Sequence, residues 1–135
     1  MIVLAIIGLA VYAIVIALML YFRLDTARFL AKHAAITDLA SLEDFKNLAR
    51  RNMKAVFPLV AAFLVAMALS AQLIVVSVVF GFVTLLIVNG LVVWSALALV
   101  KVETQARELP CLDPTLVASY QRVSKSWLYN PWPNF

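Results

Sequence analysis

The sequence predicts an all-α integral membrane protein with three transmembrane helices, and two observations carry that prediction. Charged residues make up only 13% of the chain and hydrophobic ones 65%, whereas a soluble domain carries about 25% charged residues. The charges are also absent from two long stretches, residues 1–22 and 55–100, which hold no Asp, Glu, Lys, Arg or His. A soluble fold with such runs would expose one large apolar patch, while lipid accepts them. The length suits a single domain, 1–135.

The first span is expected at about residues 1–22, roughly 33 Å of helix against a hydrocarbon core of about 30 Å. Tyr21, Phe22 and Arg23 form an aromatic and basic interface marker at its end. The segment has no basic leader, is longer than a signal-peptide core and offers no small-residue cleavage site before Arg23, so it reads as a retained anchor. The run 55–100 is too long for one helix and predicts a hairpin. Its weakest point is Leu69-Ser70-Ala71-Gln72, where the turn is expected. That gives a short second span at about 56–69 and a long third span at about 73–100, the latter tilted or projecting.

The basic residues set the orientation. Arg23, Arg28, Lys32, Lys46, Arg50, Arg51 and Lys54 lie between spans one and two, and Lys101, Arg107, Arg122 and Lys125 follow span three. The loop 23–54 and the tail 101–135 then share the cytoplasmic side, with the N-terminus and the hairpin tip outside. A multi-pass protein of a bacterial inner membrane is the expectation. The net charge of +4 fits this topology and contact with anionic lipid headgroups, without calling for nucleic acid.

In the loop, Ser41-Leu42-Glu43-Asp44 reads as a helix start with Ser41 as cap. Leu42, Phe45, Leu48, Ala49 and Met53 repeat at helical spacing, with Lys46, Arg50 and Lys54 on another stripe. An amphipathic cytoplasmic loop helix follows, its apolar face set either on the membrane surface or against protein. Pro58 predicts a break near 54–57 and a fresh helix beginning around it. In the tail, Pro110 and Pro114 interrupt the chain, and Asp113-Pro114 resembles a helix start. Leu116, Val117, Tyr120, Val123 and Trp127 then repeat at helical spacing. The segment 129–135 predicts an extended aromatic tail. Trp127, Tyr129, Trp132 and Phe135 are its candidate docking residues, for a protein partner or the headgroup layer.

Candidate chemistry is sparse. No ionisable residue falls within a span, where one would signal a proton relay or ion path. No phosphate-binding loop, nucleophile–base–acid set or paired carboxylate is visible, so no catalytic, cofactor or metal site is assigned. His33, the only histidine, reads as an interfacial surface residue, and Cys111, the only thiol, as reduced and incidental. Ser77, Gly81, Thr84 and Ser95 share a narrow stripe of span three. Ser77/Gly81 and Ala62/Ala66 form small-x-x-x-small pairs, the pattern of close helix packing. Asn89, about 120° off the stripe, is expected to bond across to another helix.

Asn52-Met53-Lys54-Ala55-Val56-Phe57-Pro58-Leu59 resembles the start of the second helix in the membrane-associated eicosanoid and glutathione metabolism proteins. Those carry an Asn followed by an aromatic–Pro pair at this spacing. The resemblance implies a small homotrimeric enzyme with Asn52 at glutathione. Ala55 stands where the family has an acid, and its fourth helix has no counterpart in this chain.

The leading expectation is a non-catalytic accessory subunit of a larger membrane complex of respiratory, photosynthetic or secretion type, bound to other membrane subunits. The glutathione-type enzyme is the alternative. A homo-oligomeric pore lined by Ser77, Thr84 and Ser95 ranks last.

Overall fold

A computed structural model describes residues 1–135, and it is all-helical. Five helices follow in order: α1 (Ile2–Lys32), α2 (Leu39–Ser70), α3 (Gln72–Val76), α4 (Val78–Arg107) and α5 (Val117–Tyr129). Three stretches are long and apolar enough to cross a membrane: Ile2–Lys32, Leu39–Val76 and Val78–Arg107. The apolar parts of these stretches are those expected, but each helix runs well beyond its apolar part.

The chain divides into two compact units. The first comprises Met1–Tyr21 and Phe57–Leu99. Its interior is small: Tyr12, Ala66 and Val92 are buried, with Leu9, Ile16, Phe63 and Val88 packed around them. The Phe63 ring meets Tyr12 edge-on, with centroids 5.8 Å apart. Large apolar side chains such as Val79, Phe80, Phe82 and Ile87 point outward, as suits helices solvated by lipid or by other helices.

The reversal within this unit is not where the sequence suggests. Ala71 alone interrupts the helical stretch, with right-handed backbone angles, and its N–H still bonds the Met67 carbonyl at 3.0 Å. The extended residue is Ser77, with φ −157° and ψ 116°. Past it the chain folds back, so that Gly81 lies against the backbone of Leu73 and Ile74. A Cβ on Gly81 would stand 2.6 Å from the Ile74 nitrogen, a distance no side chain tolerates. The hairpin tip is therefore at Ser77, and the third apolar helix starts at Val78, not near residue 73. Ser70 is not exposed as a tip residue would be. It is wholly buried, against Gly8.

The second unit comprises Phe22–Val56 and Val100–Phe135 and contains every charged residue of the chain. It has the larger core, in which Phe29, Ile36, Leu42, Phe45, Leu48, Ala49, Met53, Ala106, Leu116, Tyr120, Val123 and Trp127 form one buried cluster. Phe45 is at its centre, with ring centroids 4.9 Å from Tyr120, 5.7 Å from Trp127 and 6.0 Å from Phe29. One β-bridge pairs Ile36 with Cys111. The Ile36 N–H donates to the Pro110 carbonyl and the Leu112 N–H to the Ile36 carbonyl, both at 2.9 Å. It ties the α1–α2 link to the α4–α5 link.

Four local expectations are corrected here. There is no separate loop helix, because α1 continues past Phe22 to Lys32 and α2 begins at Leu39. The cap of α2 is Asp38, not Ser41. The Asp38 carboxylate accepts the Ser41 N–H at 2.8 Å, while the Ser41 hydroxyl oxygen accepts the N–H groups of Thr37 and Asp38 at 3.0 and 3.1 Å. This reciprocal arrangement starts the helix earlier, and the bonds it receives hold the Asp38 carboxyl below its ordinary pKa.

Pro58 does not break the chain. It lies inside α2, where it withholds only the hydrogen bond to the Lys54 carbonyl that a proline cannot donate. Finally, α5 begins at Val117, after a turn over 114–116. Asp113 braces that turn by accepting the Thr115 N–H at 2.9 Å and its hydroxyl at 2.7 Å.

Candidate functional site

The apolar stripe of α2 explains why the polar unit folds. Leu42, Phe45, Leu48, Ala49 and Met53 are 0–3% exposed, because α5 presents Tyr120, Val123 and Trp127 to the same cluster. The stripe is covered by the protein itself and does not lie on a membrane surface. The Tyr120 hydroxyl completes the contact by donating to the Ala106 carbonyl at 3.0 Å.

Three helices of this unit meet at a polar contact. The Asn52 side-chain amide of α2 donates to Thr26 Oγ1 of α1 at 3.2 Å and to Glu103 Oε1 of α4 at 3.0 Å. Thr26 and Asn52 are 0% and 4% exposed. Burial pushes the Glu103 carboxyl above its ordinary pKa, partly offset by the Asn52 bond and by the nearby Arg107 charge. Glu103 lies past Lys101, beyond the apolar part of α4. The other Asn52 amide atom, Oδ1, is buried without a partner. The contact links α1, α2 and α4 within this unit.

A cleft of about 340 Å³ opens between the polar ends of α1 and α2. Arg28, Lys32, Arg51 and Asn47 line it, together with Asp25 and Asp44. Both carboxylates are engaged. Asp25 pairs with Arg51, and Asp44 Oδ2 lies 2.9 Å from Lys32 Nζ and 3.0 Å from His33 Nε2. The Lys32 and His33 bonds hold the Asp44 carboxyl below its ordinary pKa. His33 also lies over the Phe29 ring, 4.9 Å between centroids, so it is a half-buried partner of Asp44 rather than a free surface group. Arg28 is exposed and has no acidic partner.

The tail is pinned. Arg50 donates to the main-chain carbonyl of Phe135 at 2.7 Å, and its guanidinium stands 5.5 Å from the Phe135 ring centroid. The Ser126 hydroxyl donates to Asn134 Oδ1 at 2.9 Å, and the Asn130 amide donates to Ser126 Oγ at 3.1 Å. Of the four aromatic docking candidates, Trp127 is buried in the core and Phe135 is packed half-buried against it. Their rings face this chain's own interior. Tyr129 and Trp132 are 77% and 52% exposed, and Leu128 beside them 54%.

The residues singled out for helix packing differ in burial. Ala66 is buried beside Tyr12 and Val92, Gly81 is buried against α3, and Ser95 is wholly buried with its hydroxyl unpartnered. Ala62 and Thr84 are half-buried, while Ser77 is exposed at the bend. The break at Ser77 takes only that residue off the helix, since Gly81, Thr84 and Ser95 all lie within α4. Asn89 accepts from the Tyr12 hydroxyl of α1 at 3.2 Å and donates to the Leu85 carbonyl at 2.8 Å.

Sequence reasoning passed over Tyr12, Thr26 and Glu103. Tyr12 carried a signal, a hydroxyl in the middle of an apolar span that needs a partner. Thr26 and Glu103 carried none. Cys111 is half-buried at the β-bridge, its thiol 3.5 Å from the Asp113 carbonyl. No three of the His, Cys, Asp and Glu side chains come together as a metal-holding group. No protein-family model, curated protein or solved structure matches the chain.

Proposed function

We propose that this chain is a multi-pass inner-membrane protein with its polar unit on the cytoplasmic face. It serves as a non-catalytic accessory subunit of a larger membrane complex. The observation that carries the reading is the pinned tail. Ordering an aromatic segment costs conformational entropy, and here Arg50, Ser126 and Asn130 hold it in place while leaving Leu128, Tyr129 and Trp132 outward. A preorganised pair of exposed rings is what a docking surface needs, since the ordering cost is met before binding. The outward apolar side chains of α4 give neighbouring transmembrane subunits a second surface to pack on. The glutathione-type alternative has less support, because the Asn52 amide is already engaged by Thr26 and Glu103 inside the protein.

Affinity purification from membranes in mild detergent tests the proposal. The tagged chain should bring down a partner in fixed stoichiometry. The variant Tyr129→Ala, at a ring 77% exposed, should weaken it at unchanged thermal stability, at a cost of about 2 kcal/mol of binding. A monodisperse monomer or homo-oligomer without a stoichiometric partner would overturn the reading.

A further inference from the structure

We propose that the cleft between the polar ends of α1 and α2 binds a phosphate group, and that the group it meets is the phosphodiester of an anionic phospholipid. The inference rests on the reading that the apolar helices cross a membrane. Three observations lead to it.

The first is charge. Two of the three cations lining the cleft already have carboxylate partners, Arg51 with Asp25 and Lys32 with Asp44. Arg28 is left without a counter-ion, so the cleft as built carries an uncompensated positive charge. A planar guanidinium suits two phosphate oxygens at once, and the neighbouring Asn47 side chain adds an amide donor. The second is size. About 340 Å³ accommodates a headgroup fragment larger than one bare ion and falls within the range of small-ligand clefts.

The third is depth. Arg28 lies less than two turns beyond Phe22, where the apolar part of α1 ends, roughly 9 Å of helix. Arg51 lies the same distance, roughly 9 Å, ahead of Phe57 on α2. The headgroup region extends about 5–8 Å beyond the hydrocarbon on each side. Long cationic side chains reach back toward it, and basic pockets between helix ends on the cytoplasmic side are where headgroups bind.

The test measures thermal unfolding of the purified full chain in neutral-detergent micelles. One set of micelles is doped with phosphatidylglycerol, one with phosphatidylcholine, and one contains millimolar inorganic phosphate alone. Wild type should gain roughly 5–10 °C in Tm with phosphatidylglycerol at about a hundredfold excess over Kd, and nothing with phosphatidylcholine. Arg28→Gln should lose the gain, whereas Arg122→Gln, at an exposed cation of α5 outside the cleft, should keep it. An equal gain with inorganic phosphate, also lost in Arg28→Gln, would support the phosphate site and overturn the lipid as its occupant. A gain that survives in Arg28→Gln, or falls equally in Arg122→Gln, would overturn the site in favour of diffuse attraction. This measurement needs no partner, so its failure leaves the subunit proposal standing. Failure of the subunit proposal likewise leaves the cleft to this measurement.

Discussion

Replacing Phe45 with alanine should cost the polar unit about 3–5 kcal/mol, the usual penalty for deleting a wholly buried aromatic ring. Phe45 is 0% exposed and contacts Phe29, Tyr120 and Trp127, one ring from α1 and two from α5. Its loss leaves a cavity within the cluster where these three helices share side chains. The expected result is release of α5, seen as an early unfolding transition in Trp fluorescence and as faster tryptic cleavage at Arg122 and Lys125. Phe80→Ala is the comparison, since Phe80 is 63% exposed and its removal should cost less than about 1 kcal/mol. Equal effects at the two positions would show that Phe45 does not organise the unit.

Gly81→Ala should be the most damaging small substitution in the apolar unit. The new methyl would stand 2.6 Å from Ile74 N and from the Leu73 carbonyl carbon. These are backbone atoms, which cannot swing aside as a side chain can. Overpacking of this kind costs about 1–3 kcal/mol, and here the strain falls on the bend at Ser77 that brings α4 back. Gly90→Ala serves as an internal control. Nothing lies within 4 Å of its added Cβ, so the better helix former should be neutral or stabilising by up to about 1 kcal/mol. Thermal unfolding of both variants in the same detergent checks the contrast, and a destabilised Gly90→Ala beside an unchanged Gly81→Ala would contradict the packing described.

The positions of the apolar stretches and the segregation of charge were legible because composition alone determines them. The bend was not. Ser70 and Gln72 read as polar residues seeking water, but Ser70 is small rather than exposed and lets Gly8 of α1 approach closely. A sequence does not distinguish a polar residue chosen for size from one chosen for hydration. The α2 stripe shows the same limit. Its periodicity identified Leu42, Phe45, Leu48, Ala49 and Met53 as one apolar face, but periodicity is silent on whether lipid or α5 covers it. The tail rings divided for a related reason. Trp127 falls on the buried face of α5 while Tyr129 does not, and the inward packing of Phe135 depends on Arg50, far away in sequence. The Thr26–Asn52–Glu103 contact joins three distant positions and leaves no local pattern to read.

If the three apolar helices cross a membrane as proposed, with the basic segments on the cytoplasmic side, Ser77 and Lys125 fall in different compartments. Single cysteines at Ser77 and Lys125, both exposed, in a Cys111→Ser background test it most directly. With a membrane-impermeant maleimide on intact spheroplasts, Ser77→Cys should label at once and Lys125→Cys only after permeabilisation. Labelling of both from the same side would contradict that topology.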